Sequence, residues 1–447
     1  MTAPADGAAS ALHRTLSFRD LVVYGLLFIA PMAPVGVFGT LDAKARGAVA
    51  LVYGVATAAM AFTALSYAQM VRVAPQAGSV YTYARVGLGE APGFVAGWMA
   101  MLDYLLIPAV AYLFSGIALH ALVPSVPSWV WTALAVVVTT GLNLWGVRVA
   151  ARVGFVVLVM EIVVLLVFVA AAGYALATGG ARRGWLTPLT GEGAFSAGAV
   201  LTAVSVAVLS YLGFDAIAAF AEEAAGGSAR VARAVVTCLA VAGVLFVLQT
   251  YLAALLAPVS PAELAAHPER QGAAFYDTVD AASGAWLHDL VAASKAVGAA
   301  FAALAGQAAA GRLLFAMARD RRLPGRLAKV GASGVPRPAL LGAAAVTLVA
   351  AVWAARRPDG LDRLVSVVDV GALVAFGLLH LSVIGWFAVR HRGGRVRPVA
   401  HVLVPLLGLV VVTAVIAEAA WTAQLVGGAW LAAGLAVLGV RAVRARG

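Results

Sequence analysis

Long apolar runs separated by short polar segments dominate the pattern along the chain. About twelve of these runs come near the twenty residues that a helix needs to cross a bilayer. They lie at 21–39, 49–70, from 93 onward, 129–146, 154–176, 204–224, 235–256, from 286 to the basic run RDRRLPGR, 339–352, 364–389, 399–417 and 424–440. The pattern therefore predicts an all-α integral membrane protein with about twelve transmembrane helices.

Two of the predicted helices are interrupted near their centres. The first contains FIAPMAPVGVFG, which places prolines and glycines in the middle of an apolar run, and the sixth contains YLGFDA, with Gly213 and Asp215 at its centre. Proline and glycine break helices, and a carboxylate at membrane depth needs a function or a partner. Broken helices near the midplane form the binding sites of secondary transporters. The alternative is a sixth helix that only kinks, with Asp215 paired to a base on a neighbouring helix.

The two interruptions lie five helices apart, which indicates a five-plus-five inverted repeat. The first half is expected at 21–178 and the second at 195–390, followed by two additional helices at 398–440. Terminal tails are expected at 1–20 and 441–447.

Composition excludes a water-soluble globular protein, because 63% of the residues are hydrophobic, only 11% are charged and the mean hydropathy is +0.96. The net charge of +11 does not indicate nucleic-acid binding, because most of the arginines lie in short loops between apolar runs. These basic loops fall on one side, which predicts a multi-pass protein of the cell membrane with both termini cytoplasmic. The single cysteine, Cys238, allows no intrachain disulfide.

Enzymatic motifs are missing from the sequence. It contains neither GxxxxGK[ST], nor HExxH, nor CxxC, so we expect no ATP-driven step, no metal site and no cofactor. A sensor that binds an amine without moving it, or a channel, remains an alternative to a transporter. A channel would not need two broken helices around an occluded site.

Five segments in order resemble the amino acid, polyamine and organocation permeases. They are IAPMAPVGVFG, PQAGSVYTYA, GFVAGWMAMLDYLLIP, YLGFDAIAAFAEEA and GRLLFAMARDRRLP. Within that superfamily, LDYLLIP, LGFDA followed by two glutamates, and GALVAF look most like bacterial putrescine importers. The resemblance implies a leucine-transporter-type fold and an importer that works by alternating access, with amine or amino acid exchange as the alternative.

The resemblance also assigns the substrate site to the unwound parts of helices 1 and 6 and to nearby aromatic side chains. The residues are Ala30, Pro31, Met32, Ala33, Val35, Gly36, Asp103, Tyr104, Ser210, Tyr211, Gly213, Phe214 and Asp215. Relatives that carry amino acids usually have a small-residue, glycine-rich triplet in helix 1, whose amides bind the carboxylate. Pro34 stands in that segment here and has no N–H. The expected substrate is therefore a small amine, such as a polyamine, or an amino acid that is held differently.

Four charged residues are candidates for ion coupling or a charge relay, namely Glu161, Lys295, Glu222 and Glu223. Glu161 stands where several proton-coupled relatives have a lysine, a departure that puts the usual coupling assignment in doubt. The hypothesis is that Glu161 itself is protonated and released during the cycle, so a proton is the expected coupling ion, with sodium still open. Lys295 is the counter-ion of Glu161 or Asp215, a proton carrier, or a side chain that extends to the outer surface. Glu222 and Glu223 can also pair with Arg230 or Arg312. The sequence leaves the oligomeric state open.

Overall fold

The computed structural model describes residues 14–123, 125–331, 334–357, 360–390, 396–418 and 421–444. Nearly all of them are helical, and β-structure in this part of the chain is limited to one bridge between Leu16 and Ala224. The α-helices are α1 (Phe18–Ile29), α2 (Phe38–Lys44), α3 (Val49–Val73), α4 (Val80–Leu88), α5 (Glu90–Leu122), α6 (Ser128–Trp145), α7 (Val147–Gly179), α8 (Thr187–Thr190), α9 (Ala197–Ala207), α10 (Ala216–Ala219), α11 (Ser228–Leu256), α12 (Pro261–Ala266), α13 (Ala274–Ser283), α14 (Ala285–Arg319), α15 (Arg337–Ala355), α16 (Gly360–Ile384), α17 (Val404–Glu418) and α18 (Trp421–Arg444).

Eleven segments of the described chain are long and apolar enough to cross a membrane. The twelfth predicted span lies in α18, whose apolar stretch, Gln424–Val440, is shorter than the others. Trp430 of α18 stacks on Trp98 of α5 with ring centroids 4.6 Å apart, and each indole N–H donates to the other residue's main-chain oxygen. The predicted all-α membrane fold is confirmed, whereas the division into two repeats stays a prediction.

The first membrane helix begins earlier than expected, at Phe18. Ser17 caps it by accepting from the N–H of Asp20, and the Asp20 carboxylate accepts from the N–H of Ser17 in return. This capping box satisfies amides that the start of a helix leaves without partners. Only part of the predicted N-terminal tail, residues 14–20, lies within the described chain, and its last three residues are helical rather than tail.

The predicted break in helix 1 separates α1 from α2. Helix α1 ends at Ile29, Ala30 takes a positive φ of 59°, and a single 3₁₀ turn, Ala33–Gly36, leads into α2. Pro31 and Pro34 cannot donate the main-chain hydrogen bonds that a continuous helix needs. The chain therefore unwinds between the two helical pieces.

The predicted break in helix 6 lies between α9 and α10. Gly213 has a φ of +117°, which strongly favours glycine. A Cβ at this position would lie 2.8 Å from Cγ of Phe28, so the break in helix 6 packs directly against the end of α1. The absence of a side chain at Gly213 thus lets the two broken helices meet.

Helix α14 occupies the centre of the bundle. The most apolar window of α14 is 94% buried, whereas the corresponding windows of α6 and α17 are only 28% buried. This contrast places α14 inside the bundle, where it packs against α1 and α10 of the broken helices, and leaves α6 and α17 toward lipid.

Candidate substrate cavity

A cavity of about 170 Å³ lies where the two broken helices meet α5, α14 and α16. Residues near the breaks contribute Ala30, Ala33, Ser210 and Leu212 to its wall. The other walls come mainly from aliphatic and aromatic side chains, including Ile107 and Phe114 of α5 and Val368 of α16. Its volume is below the range of drug-sized sites, so the cavity suits a small solute with an apolar part.

Two polar side chains reach this wall, Ser210 and Lys295. The Ser210 hydroxyl lies 3.0 Å from the hydroxyl of Tyr53. The Lys295 ammonium donates to the main-chain oxygen of Met32 over 3.1 Å, and its Nζ lies 6.0 Å from the ring centre of Phe114. Lys295 is buried, so it does not extend to the outer surface, which was one of its three predicted roles.

The main-chain amides in the break of helix 1 are largely occupied. The N–H of Ala33 donates to Ala30, that of Val35 to Met32 and that of Val37 to Pro34, with N···O distances between 2.9 and 3.1 Å. Pro34 contributes no N–H. The amides at the start of this turn are therefore poorly placed to hold a carboxylate.

Asp215 lies next to the cavity but is not part of its wall. Its carboxylate accepts hydrogen bonds from the hydroxyls of Tyr104 at 2.6 Å and Tyr67 at 3.3 Å, and from the N–H of Gly213 at 3.3 Å. Its described hydrogen bonds thus come from hydroxyls and an amide instead of the base considered from the sequence. The carboxylate ties the break of helix 6 to α3 and α5.

The predicted aromatic residues also lie outside the wall. The hydroxyl of Tyr211 lies 2.6 Å from that of Thr57, and Phe214 packs edge-on against Tyr67. Tyr104 is buried and its hydroxyl donates to Asp215. Asp103, the preceding residue of α5, is also buried. In this arrangement these side chains pack beside the cavity and are not among the residues that line it.

Glu161 lies on α7 beside α14. Its side chain is fully buried, and neither carboxylate oxygen has a hydrogen-bond partner among the described residues. A Cβ at Gly298 would overlap Oε1 of Glu161, so the carboxyl group packs against the α14 backbone about one turn from Lys295. Lys295 is the one charged group in the described chain that acts on it electrostatically.

Glu222 and Glu223 form ion pairs at the end of the bundle where α14 finishes. Glu223 pairs with Arg312, and Glu222 lies 2.8 Å from Arg319. We call the end of the bundle that contains these four residues the ion-pair end. Arg230, the other partner considered for the glutamates, instead donates to the main-chain oxygen of Ala225. The geometry gives both glutamates a structural partner, and the predicted coupling role is untested.

Comparison with known proteins assigns the family. The family model for amino acid permeases matches residues 25–437. This chain belongs to the amino acid permease family. The low-affinity putrescine importer PlaP of Escherichia coli K12 is 28% identical in an alignment of 444 positions that covers 96% of this chain and 93% of PlaP. The branched-chain amino acid permease BcaP of Lactococcus lactis is 28% identical over 95% of this chain and 94% of BcaP. The methylthioribose transporter of Bacillus subtilis is 28% identical over 86% of this chain and 83% of that protein.

Membership in this family makes the permease a multi-pass membrane transporter and not an enzyme, as expected from the sequence. Of the predicted substrate residues, Ala30, Ala33 and Ser210 line the cavity. Gly213 shapes it indirectly through its contact with Phe28. The others pack around the breaks.

Sequence reasoning missed much of the cavity wall of this permease. Its apolar part, with Ile107, Val110, Phe114, Leu209 and Val368, consists of residues that resemble any others in a membrane helix. Tyr67 was also missed, although a tyrosine within an apolar run gives a weak signal because a buried hydroxyl needs a partner.

Proposed function

We propose that this permease is a secondary active transporter that imports a small amino acid or amine by alternating access and couples uptake to protons. The cavity between the broken helices is the observation that carries this proposal. Unwound backbone at membrane depth is stable only where it is buried in protein or lines a cavity, and both breaks here meet at one.

Two buried layers of side chains would close the cavity toward the ion-pair end. The first is the hydrogen-bonded group of Asp215, Tyr104 and Tyr67. The second is the buried pair of Glu223 and Arg312, whose side chains are 2% and 3% exposed. A carrier needs one end sealed while the other is accessible, and these layers supply that seal. If both termini are cytoplasmic, the ion-pair end faces the cytoplasm and the cavity belongs to an outward-facing state.

Glu161 is the proposed proton site. A fully buried carboxylate without a hydrogen-bond partner is unfavourable when charged, so it is stable in a membrane helix only if it is protonated or compensated by a nearby cation. Lys295 is positioned to supply that compensation. Glu161 can then take up or release a proton when the charge near Lys295 in the cavity changes.

Two of the three relatives are named for substrates that carry an ammonium group. PlaP is named for putrescine and BcaP for branched-chain amino acids, and both align over nearly the whole chain at the same identity. Both classes carry an ammonium group, which can interact with the Ser210 hydroxyl and with carbonyls of the unwound segments.

The test is uptake of radiolabelled L-leucine and putrescine into proteoliposomes with an inward proton gradient. We expect one of them to accumulate above its outside concentration and a protonophore to abolish that accumulation. Glu161→Gln should lose gradient-driven accumulation, whereas Glu263→Gln, which changes an exposed carboxylate, should retain it. Accumulation by Glu161→Gln with unchanged pH dependence would refute the proton site. If the substrate moves only down its own concentration gradient, the proposal of a secondary active transporter is refuted.

A further inference from the structure

Charge in the cavity wall is unbalanced. Lys295 is its one charged side chain among the described residues, and no carboxylate lines it, because Asp215 lies behind the wall. A diamine would bring two positive charges toward an ammonium group in an apolar, low-dielectric site. Such like-charge contacts are strongly unfavourable where water is scarce.

The Lys295 ammonium group has more hydrogen-bond donors than the structure uses. An ammonium group has three N–H donors, and the hydrogen bond to Met32 uses one of them. In the described part of the chain no carboxylate oxygen lies within 4.0 Å of Nζ, so Glu161 acts on it without direct contact. A buried ammonium group without a contacting counter-ion is costly, and an anion that entered the cavity would reduce that cost.

Helix 1 offers little competition for that anion. The amides of Ala33, Val35 and Val37 are used within the 3₁₀ turn, and Pro34 has none. A carboxylate that enters the cavity therefore has Lys295 as its strongest available donor.

We propose that Lys295 binds the carboxylate of the substrate, so that this permease selects a zwitterionic amino acid with an apolar side chain over a diamine. The proposal rests on the proposed transport function and narrows it. The substrate's side chain would contact the apolar wall formed by Ile107, Phe114 and Leu212. Its ammonium group would lie toward Ser210.

The same contact explains how substrate and proton are linked. When the substrate carboxylate binds Lys295, it offsets the positive charge that compensates Glu161. Glu161 then takes up a proton from a hydronium ion of the aqueous phase, which forms the O–H bond of the carboxyl group, releases a water molecule and leaves no uncompensated negative charge in the bilayer. No other titratable side chain among the described residues of the neighbouring helices acts on Glu161. One proton would therefore enter with each substrate molecule.

The experiment measures binding of L-leucine, L-leucinamide and putrescine to the purified full-length permease by calorimetry. L-leucinamide keeps the amine and the side chain but lacks the carboxylate. We expect L-leucine to bind roughly 10- to 100-fold more tightly than L-leucinamide, as a charge-assisted hydrogen bond allows. Lys295→Met should remove that difference by weakening only L-leucine, and Lys295→Arg should keep it. Lys44→Met, at an exposed lysine on α2, should behave like the unaltered protein.

Equal weakening of L-leucine and L-leucinamide in Lys295→Met would mean that Lys295 only supports the fold, and would overturn the proposal. Putrescine binding without L-leucine binding would also overturn it, while leaving the transporter itself in place. Repeating the titration in buffers of different ionisation enthalpy should show uptake of about one proton per bound L-leucine, absent in Glu161→Gln. Unchanged proton uptake in Glu161→Gln would overturn the linkage. Failure of uphill transport in vesicles would instead count against the proposed function, because these binding differences do not depend on transport.

Discussion

The buried ion pair between Glu223 and Arg312 should hold the ion-pair end closed, and Glu223→Gln tests this directly. The substitution keeps the size of the side chain and removes its charge. Arg312 would keep its hydrogen bond to the Ala308 carbonyl and its contact with the Phe220 ring, but no carboxylate would face it. The main-chain oxygen of Glu223 also accepts from the N–H groups of Thr15 and Leu16, so the segment that leads into α1 is attached to the same residue that carries the ion pair.

The size of the effect follows from burial. Removing one partner of a buried pair costs about 3–5 kcal/mol, because the other charge stays in a low-dielectric site. The side chains of Glu223 and Arg312 are 2% and 3% exposed, so this range applies. The pair between Glu263 and Arg270 is 47% and 42% exposed and is worth only about 0–1 kcal/mol. A cost of about 3 kcal/mol raises the population of the opened form roughly 100-fold.

Cys238 provides the assay because it is the single cysteine of the chain. It is fully buried on α11, its thiol lies 3.5 Å from the main-chain oxygen of Val22, and α1 covers it. If the ion-pair end opens by movement of α1, the thiol becomes accessible to a membrane-permeant maleimide. The labelling rate then follows the opened population as long as opening and closing are fast.

We expect Glu223→Gln to label roughly 100-fold faster than the unaltered protein, and Glu263→Gln to differ by less than about fivefold. Cys238→Ser gives the background. If Glu223→Gln labels no faster than Glu263→Gln while remaining folded, the ion pair does not control movement of α1 and the reasoning is refuted.

Two further predictions concern the junction of the broken helices and the apolar wall. Gly213→Ala should lower the unfolding temperature and weaken L-leucine binding. Its Cβ would lie 2.8 Å from Cγ of Phe28, and alanine would have to adopt a φ of +117°. The backbone strain alone costs about 1–3 kcal/mol. Gly141→Ala, where nothing lies within 4 Å, is its control in a thermal unfolding measurement, and equal stability of the two variants would contradict the assigned contact. L-leucine should bind roughly 50-fold more tightly than L-alanine in a competition assay, since three more apolar carbons contribute about 0.8 kcal/mol each; equal affinities would show that the side chain does not enter the cavity.

The relation between sequence and structure differs between the helices and the cavity. The apolar runs, together with the prolines around Met32 and the glycine before Phe214, predicted both the membrane spans and the two breaks. The Glu223–Arg312 pair was among the alternatives that the sequence left open, and the structure contains it. Asp215 was predicted to meet the substrate, but its described hydrogen bonds are to Tyr67, Tyr104 and a main-chain amide.

The sequence by itself determined which segments lie in the membrane and where helices cannot continue. Length, hydropathy and the missing N–H of proline are local properties of the chain. Tertiary structure alone decided which side chains face the cavity. Membrane helices are apolar on every side, so their sequence carries little pattern that fixes their rotation. Packing around α14 turns Lys295 toward the cavity and Glu161 toward α14, and brings both within electrostatic reach of each other.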